Sequence, residues 1–314
     1  MRMNPLAVQS GLVTEWRSSA SAGKTLLRSA ADFIDDVSPY NSSVAIARSL
    51  LALSTLLTFL LTPRGALFLS SPENPDGVVC DAATARWSLF CAAGGSSPLS
   101  LMIVVAVTLA VLSGYLPAVT AVPHWWVSWS LNIGSPVRDG GDQVAAVLTL
   151  LLVPLLLLDG RSNHWVRDGR WASRTWGARG TAWAMLVIIW IQAAVLYANA
   201  AIAKFAVVEW ANGTALWYWI QDPSFRPPGP LVWLIEAAQG SLFGTVAVNY
   251  GVMALELFAA ALFFVRPSIR TIALPVLLAF HLCIGVAFGL WSFFLSMAAL
   301  LVLYLRVPRI DRTD

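Results

Sequence analysis

Charged side chains are scarce in this sequence. Asp, Glu, Lys and Arg make up 12% of its 314 residues, about half the ~25% typical of a soluble domain. Hydrophobic residues make up 58% and mean hydropathy is +0.70. That leaves too little polar surface to cover a water-soluble globule, so the chain is expected to be an integral membrane protein. It is too apolar for a disordered chain. Its 3 cysteines are too few for a small disulfide scaffold. The net charge of only +3 is spread along the chain, which excludes a nucleic-acid partner. No HExxH, P-loop or dinucleotide fingerprint occurs, and no cluster of ligating residues points to a metal. No apolar core of about 7–15 residues precedes position 40, so no signal peptide is expected. The first apolar run then serves as a start-transfer helix.

What is present is a series of apolar runs, and 15 Trp that recur near run ends, such as Trp125, Trp129, Trp165 and Trp291. Residues 1–43 read as a cytosolic lead, either an amphipathic helix on the inner leaflet or a short soluble helix. Spans are expected near 44–62, 98–113, 119–133, 142–158, 180–204, 244–265, 271–289 and 291–305. The run 98–133 is too long for one ordinary span of about 17–25 residues, and Gly114, Pro117 and Pro123 interrupt it. Pro154 marks a kink. Residues 231–243 suit an interfacial or re-entrant helix. The predicted fold is therefore all-α, a polytopic helical bundle of about eight transmembrane helices, with one domain over 44–306 and a cytosolic tail at 307–314.

Basic residues orient it. The segment 159–179 holds five Arg, and Arg266, Arg270, Arg306, Arg309 and Arg312 follow later spans. With eight crossings these clusters share the cytoplasmic side, as the positive-inside rule requires, and both termini are cytoplasmic. Seven crossings would divide them between the two sides.

Cys80 and Cys91 then share an outer loop on the oxidising side, where a structural disulfide is the first expectation and two free thiols the alternative. Without CxxC spacing, redox catalysis is disfavoured. Lys204 ends a span, with Tyr197 on nearly the same face and Gln192 and Asn199 on a neighbouring stripe. It reads first as a headgroup anchor and second as a base. Glu256 and His281 fall inside spans, where charged groups normally face the bundle interior or a wet cavity. A pairing of Glu256 with His281 or Lys204 is open. In 132–142, Asp142 is expected to cap the following helix, with cation binding by Asp139 and Asp142 the lesser reading. Trp210, Gly213 and Asp222 lie in a dense aromatic segment, either a headgroup belt or a pocket roof.

Three stretches carry a family resemblance: GGDQVAAVLTLLLVPLLLL at 140–158, AAVLYANAAIAKFAVVEWANGTALWYWIQDP at 193–223 and FHLCIGVAFGLWSFFLSMAALLVLYL at 280–305. They resemble the membrane domain of the horizontally transferred transmembrane (HTTM) proteins and of the vitamin K-dependent gamma-carboxylase. The Arg48 helix, the two-cysteine loop and DGGDQ at 139–143 resemble the bacterial sporulation-delaying protein B branch. That resemblance covers about residues 44–306. It implies a multipass protein of the bacterial cell membrane that helps mature, process or export a secreted peptide. Its partners would be membrane lipids, a secreted peptide precursor and a co-encoded accessory protein. The carboxylase resemblance implies a second function, an intramembrane enzyme acting on a quinone or other lipid-like substrate. Lys204 would be its base, beside Trp210 and Gly213, and a quinone or bound lipid its cofactor. Two departures stand against that function: Trp210 lies six residues after Lys204, and Ala203 stands where the family has a second lysine. The eight residues after Arg306 also leave no region to grip a propeptide, so a full carboxylase is not expected. A transporter using Glu256 and His281 is a third function class.

Overall fold

The structure, a computed structural model, describes residues 28–308 other than 30, 73, 76, 81–82, 96, 137–138, 223–228 and 307. Residues 1–27, Arg138, Arg226, Arg309 and Arg312, which entered the reading of the lead and of the charge pattern, lie outside the described residues. The fold is an all-α polytopic membrane bundle. Its main helices are α1 (Ser42–Leu61), α2 (Pro98–Leu112), α3 (Pro117–Gly134), α4 (Gly140–Leu157), α5 (Trp176–Lys204), α6 (Gly229–Gln239), α7 (Leu242–Ala261), α8 (Pro267–Phe288) and α9 (Trp291–Leu305). Among the described residues five helices are long and apolar enough to cross a membrane: α1, α4, α5, α8, and α7 with its extension to Phe264. The shorter apolar helices α2 and α9, and α3, pack alongside them.

Local chemistry sets the helix starts. The Asn41 side chain accepts from the Ser43 and Val44 amides to cap α1. Ser97, Thr175 and Ser241 cap α2, α5 and α7 in the same way. Pro98, Pro117 and Pro267 stand at first helical positions, where no amide hydrogen is needed. The run 98–133 is broken by the turn before Pro117, whereas Pro123 lies inside α3 and does not interrupt it. α5 begins at Trp176, so the last residues of the arginine-rich segment form its first turn.

Every residue of α9 from Ser296 to Leu305 is buried. A helix apolar all round belongs at the centre, and α9 packs there against α1, α4, α5 and α8. Hydroxyls join it to α1: Ser54 Oγ donates to Ser292 O at 2.9 Å and lies 2.9 Å from Ser296 Oγ. A second, smaller core of Leu67, Phe68, Phe90, Val104, Val127 and Leu131 holds the 63–97 loop on α2 and α3.

The described part of the lead is built into the main core. Phe33 meets Trp183 at 4.9 Å between ring centroids. Trp183 Nε1 donates to Val37 O at 2.9 Å, and Tyr40 Oη to Leu155 O at 2.8 Å.

α1 thus runs from the end of the bundle that carries the 159–179 segment, the arginine end, to the end that carries Cys80 and Cys91, the disulfide end.

Candidate functional site

α5 stops at Lys204, but the chain does not leave the bundle there. It returns along α7: the Asn249 side chain donates to Trp210 O at 3.0 Å, and Tyr250 Oη donates to Ala211 O. Gly213 abuts Val246, where its φ of +77° and an added Cβ only 3.2 Å from Val246 both favour glycine. Lys204 reaches Glu256, fourteen residues into α7 and about 21 Å from its first residue at 1.5 Å per residue. The sequence reading of Lys204 as a headgroup anchor is therefore corrected. The short helix Val208–Ala211 lays the Trp210 ring over the lysine, and its ammonium turns inward to Glu256.

Lys204 Nζ donates to both Glu256 carboxylate oxygens at 2.8 Å and to Ala200 O at 3.1 Å. The Trp210 ring centroid is 5.1 Å from Nζ, a cation–π contact. All three ammonium protons thus have acceptors. Beside this pair Tyr197 Oη and His281 Nε2 are 2.8 Å apart, both residues buried. Phe280 and Phe293 flank the His281 ring edge-on, at 4.8 and 5.6 Å. Both pairs face one cavity of about 490 Å³ bounded by α4, α5, α7, α8 and α9. Leu148, Met297 and Leu300 make its inner wall apolar, and Gln143, Gln192 and Asn199 add carboxamides. The arrangement places one paired charge and one hydrogen-bonded proton donor–acceptor couple against an apolar chamber.

The structure brings Lys204, Glu256, His281 and Trp210 together. Of the two open pairings for Glu256, the one formed is with Lys204, and His281 takes Tyr197. Asp222 is exposed at the end of helix Ala215–Gln221 and does not line the cavity. The expected cap of α4 is corrected from Asp142 to Asp139. Asp139 Oδ1 accepts from the Asp142 amide at 2.8 Å, and Oδ2 accepts from Ser292 Oγ at 2.9 Å. The helix starts two residues before Asp142, which leaves that side chain buried in the first turn. Cys80 and Cys91 form a disulfide with Cα atoms 5.9 Å apart, on the smaller core and away from the cavity.

A second polar centre, unforeseen from sequence, sits at the arginine end. Arg48, fully buried, donates to His164 Nδ1 at 2.9 Å and to Thr120 Oγ1. Arg161 pairs with Asp159 at 2.8 Å and donates to the carbonyls of Tyr40, His164 and Val166. Burial, with Arg48 adding to it, holds the His164 imidazole down at about 4. Burial likewise pushes the Tyr40 hydroxyl up. Arg48 and His164 lie 116 residues apart in sequence, and no local spacing signals their contact.

The HTTM domain model matches residues 145–308. The chain is 34% identical to Sporulation-delaying protein SdpB of Bacillus subtilis (strain 168) over 285 residues, 89% of this chain and 86% of that protein. It is 33% identical to Uncharacterized protein YitO of the same organism over 275 residues, 86% and 87% of the two chains. No solved structure matches.

Proposed function

The chain belongs to the HTTM domain family, in a branch with SdpB, and from that premise we propose that it is a bacterial membrane factor in the maturation, processing or export of a secreted peptide. The observation that carries this reading is the chamber faced by Lys204–Glu256 and Tyr197–His281. A paired charge at such depth in a bundle has a cost that a purely structural helix contact does not require, which supports a functional interior. A secreted precursor and a co-encoded accessory protein are the partners that follow. Deleting the gene and profiling secreted peptides by mass spectrometry tests the reading. Loss of a discrete secreted peptide, restored by the wild-type gene, is expected; an unchanged peptide pool would sink it.

A second reading, an enzyme acting on a quinone or other lipid with Lys204 as base, draws on the carboxylase-like segment. The apolar chamber and the Trp210 ring over Nζ favour it. The geometry also sets its condition: Lys204 works as a base only after handing a proton to Glu256, because all three of its protons are held.

For the topology, we propose eight crossings, with the lead 1–43, the 159–179 segment and the tail 307–314 in the cytosol. Five Arg oppose translocation of the 159–179 segment. In a background without native cysteines, a cysteine at Ser71 should react with an impermeant maleimide in intact cells and one at Ser173 should not. Labelling at Ser173 overturns the orientation.

A further inference from the structure

The chamber is not closed. Along the seam between α4 and α5 its lining reaches the outside of the bundle: Val147 is 41% exposed and Val195 55%. Gln143 and Asn199 on the same seam are exposed, and Gln192 is half-buried. These positions lie on two helices apolar and long enough to cross a membrane. The seam therefore opens towards lipid.

The three carboxamides are oddly placed for such a seam. Among the described residues none of their side chains makes a hydrogen bond within the protein. Each offers two donors and one acceptor oxygen, and an unsatisfied polar group facing hydrocarbon is costly. Gln192 and Lys204 lie twelve residues apart on α5, so the polar positions span about 18 Å of slot. Asn199 stands between them, and Gln143 faces from α4.

We propose that this slot receives a segment of the secreted peptide directly from the bilayer, with Gln143, Gln192 and Asn199 pairing with its main-chain amides. An acyl or prenyl tail has nothing to give carboxamides spread along the slot, and a ring with one or two carbonyls would engage them at one depth only. A peptide segment carries N–H and C=O groups along its whole length and needs partners for them inside lipid. About five extended residues span 18 Å. Leu148, Met297 and Leu300 accept apolar side chains, and the Lys204–Glu256 pair stands at one end of the slot. This inference rests on the peptide-maturation reading and specifies how that substrate enters.

The test is photo-crosslinking in the native host with the full-length protein. Val195 is replaced by p-benzoylphenylalanine, and in a control Leu150, which is 47% exposed on α4 outside the chamber, is replaced instead. After irradiation the adducts are identified by mass spectrometry. The Val195 site should yield a segment of the same peptide that disappears when the gene is deleted, and the Leu150 site should yield lipid. Combining the Val195 probe with Gln192→Leu and Asn199→Leu should lower the peptide adduct about tenfold, at unchanged membrane abundance and unchanged elution in detergent. Each variant alone should give a smaller loss. Lipid adducts alone at Val195, or no adduct, overturns the inference, as does a peptide adduct indifferent to the carboxamides. If deletion removes a secreted peptide while Val195 captures only lipid, entry through the slot fails and the maturation reading survives. If deletion changes no secreted peptide, that reading itself fails.

Discussion

Two ion pairs of the same 2.8 Å length hold opposite kinds of position in this bundle. Arg161–Asp159 at the arginine end has side chains 4% and 0% exposed, and its guanidinium is used up on three backbone carbonyls besides the carboxylate. Lys204–Glu256 has side chains 19% and 11% exposed and faces a chamber with unpaired carboxamides. The first pair ties the 159–166 turn to the lead through Tyr40, and every bond it makes serves the fold. The second leaves polar capacity unused where a ligand could take it. Distance alone does not separate a pair that holds the fold from one proposed to meet a ligand; what the neighbouring groups still have to offer does.

Substitutions sharpen that contrast. The largest effect on stability is expected from Asp159→Asn, which leaves Arg161 buried without its carboxylate at a cost of about 3–5 kcal/mol. The readout is the thermal unfolding midpoint in detergent. A shift no larger than that of a surface variant would mean that this pair is not structural. Gly141→Ala comes next. Its Cβ would fall 2.5 Å from Phe293 Cα, backbone that cannot rotate away, so α4 and α9 must part at about 1–3 kcal/mol. Because Phe293 lines the chamber, crosslinking from Val195 should weaken as well.

Glu256→Gln keeps the shape of the side chain and an acceptor oxygen for Lys204, and should cost about 1–3 kcal/mol, less than Asp159→Asn because the pair opens onto a cavity. The secreted peptide should nevertheless fall about tenfold or more. Equal losses of stability for Glu256→Gln and Asp159→Asn would erase the distinction drawn between the pairs.

The arginine end also carries a pH signature. His164 is held at about 4 when folded, against 6.5 when free. Between those values the unfolded chain binds a proton that the folded chain refuses, so stability falls as pH drops from about 6.5 to about 4. His164→Asn can still accept from Arg48 and should flatten the slope in that window. A slope unchanged by the substitution contradicts the role given to His164. The smallest effect is expected for Leu150→Ala on the lipid-facing side of α4, within about 0.5 kcal/mol.

Much of the helix plan was legible because apolar runs and the breaks between them are local signals. The run 98–133 divides where it was expected to, at the turn before Pro117. Seven-residue spacing also put Lys204 with Tyr197 on nearly one face. Partner choice was not legible. Whether Glu256 met Lys204 or His281 depends on how α5, α7 and α8 cross, which no spacing within one helix records. The position of Lys204 was misread for a related reason: the end of a helix resembles the end of a span, and only the return of 205–221 along α7 shows that the lysine is covered. The Asp142 cap was misplaced by three residues because Asp139 and Asp142 both precede an apolar run, and only the backbone tells which one stands outside the helix.

On the proposed function, the Lys204–Glu256 chamber does the protein's work and the arginine-end cluster holds the fold. This division is tested most directly in a deletion strain complemented with wild-type, Lys204→Met or Leu150→Ala protein at matched membrane abundance, with the secreted peptide quantified by mass spectrometry. The wild type and Leu150→Ala should restore the peptide, and Lys204→Met should leave it at the deletion level. Full restoration by Lys204→Met would contradict that division.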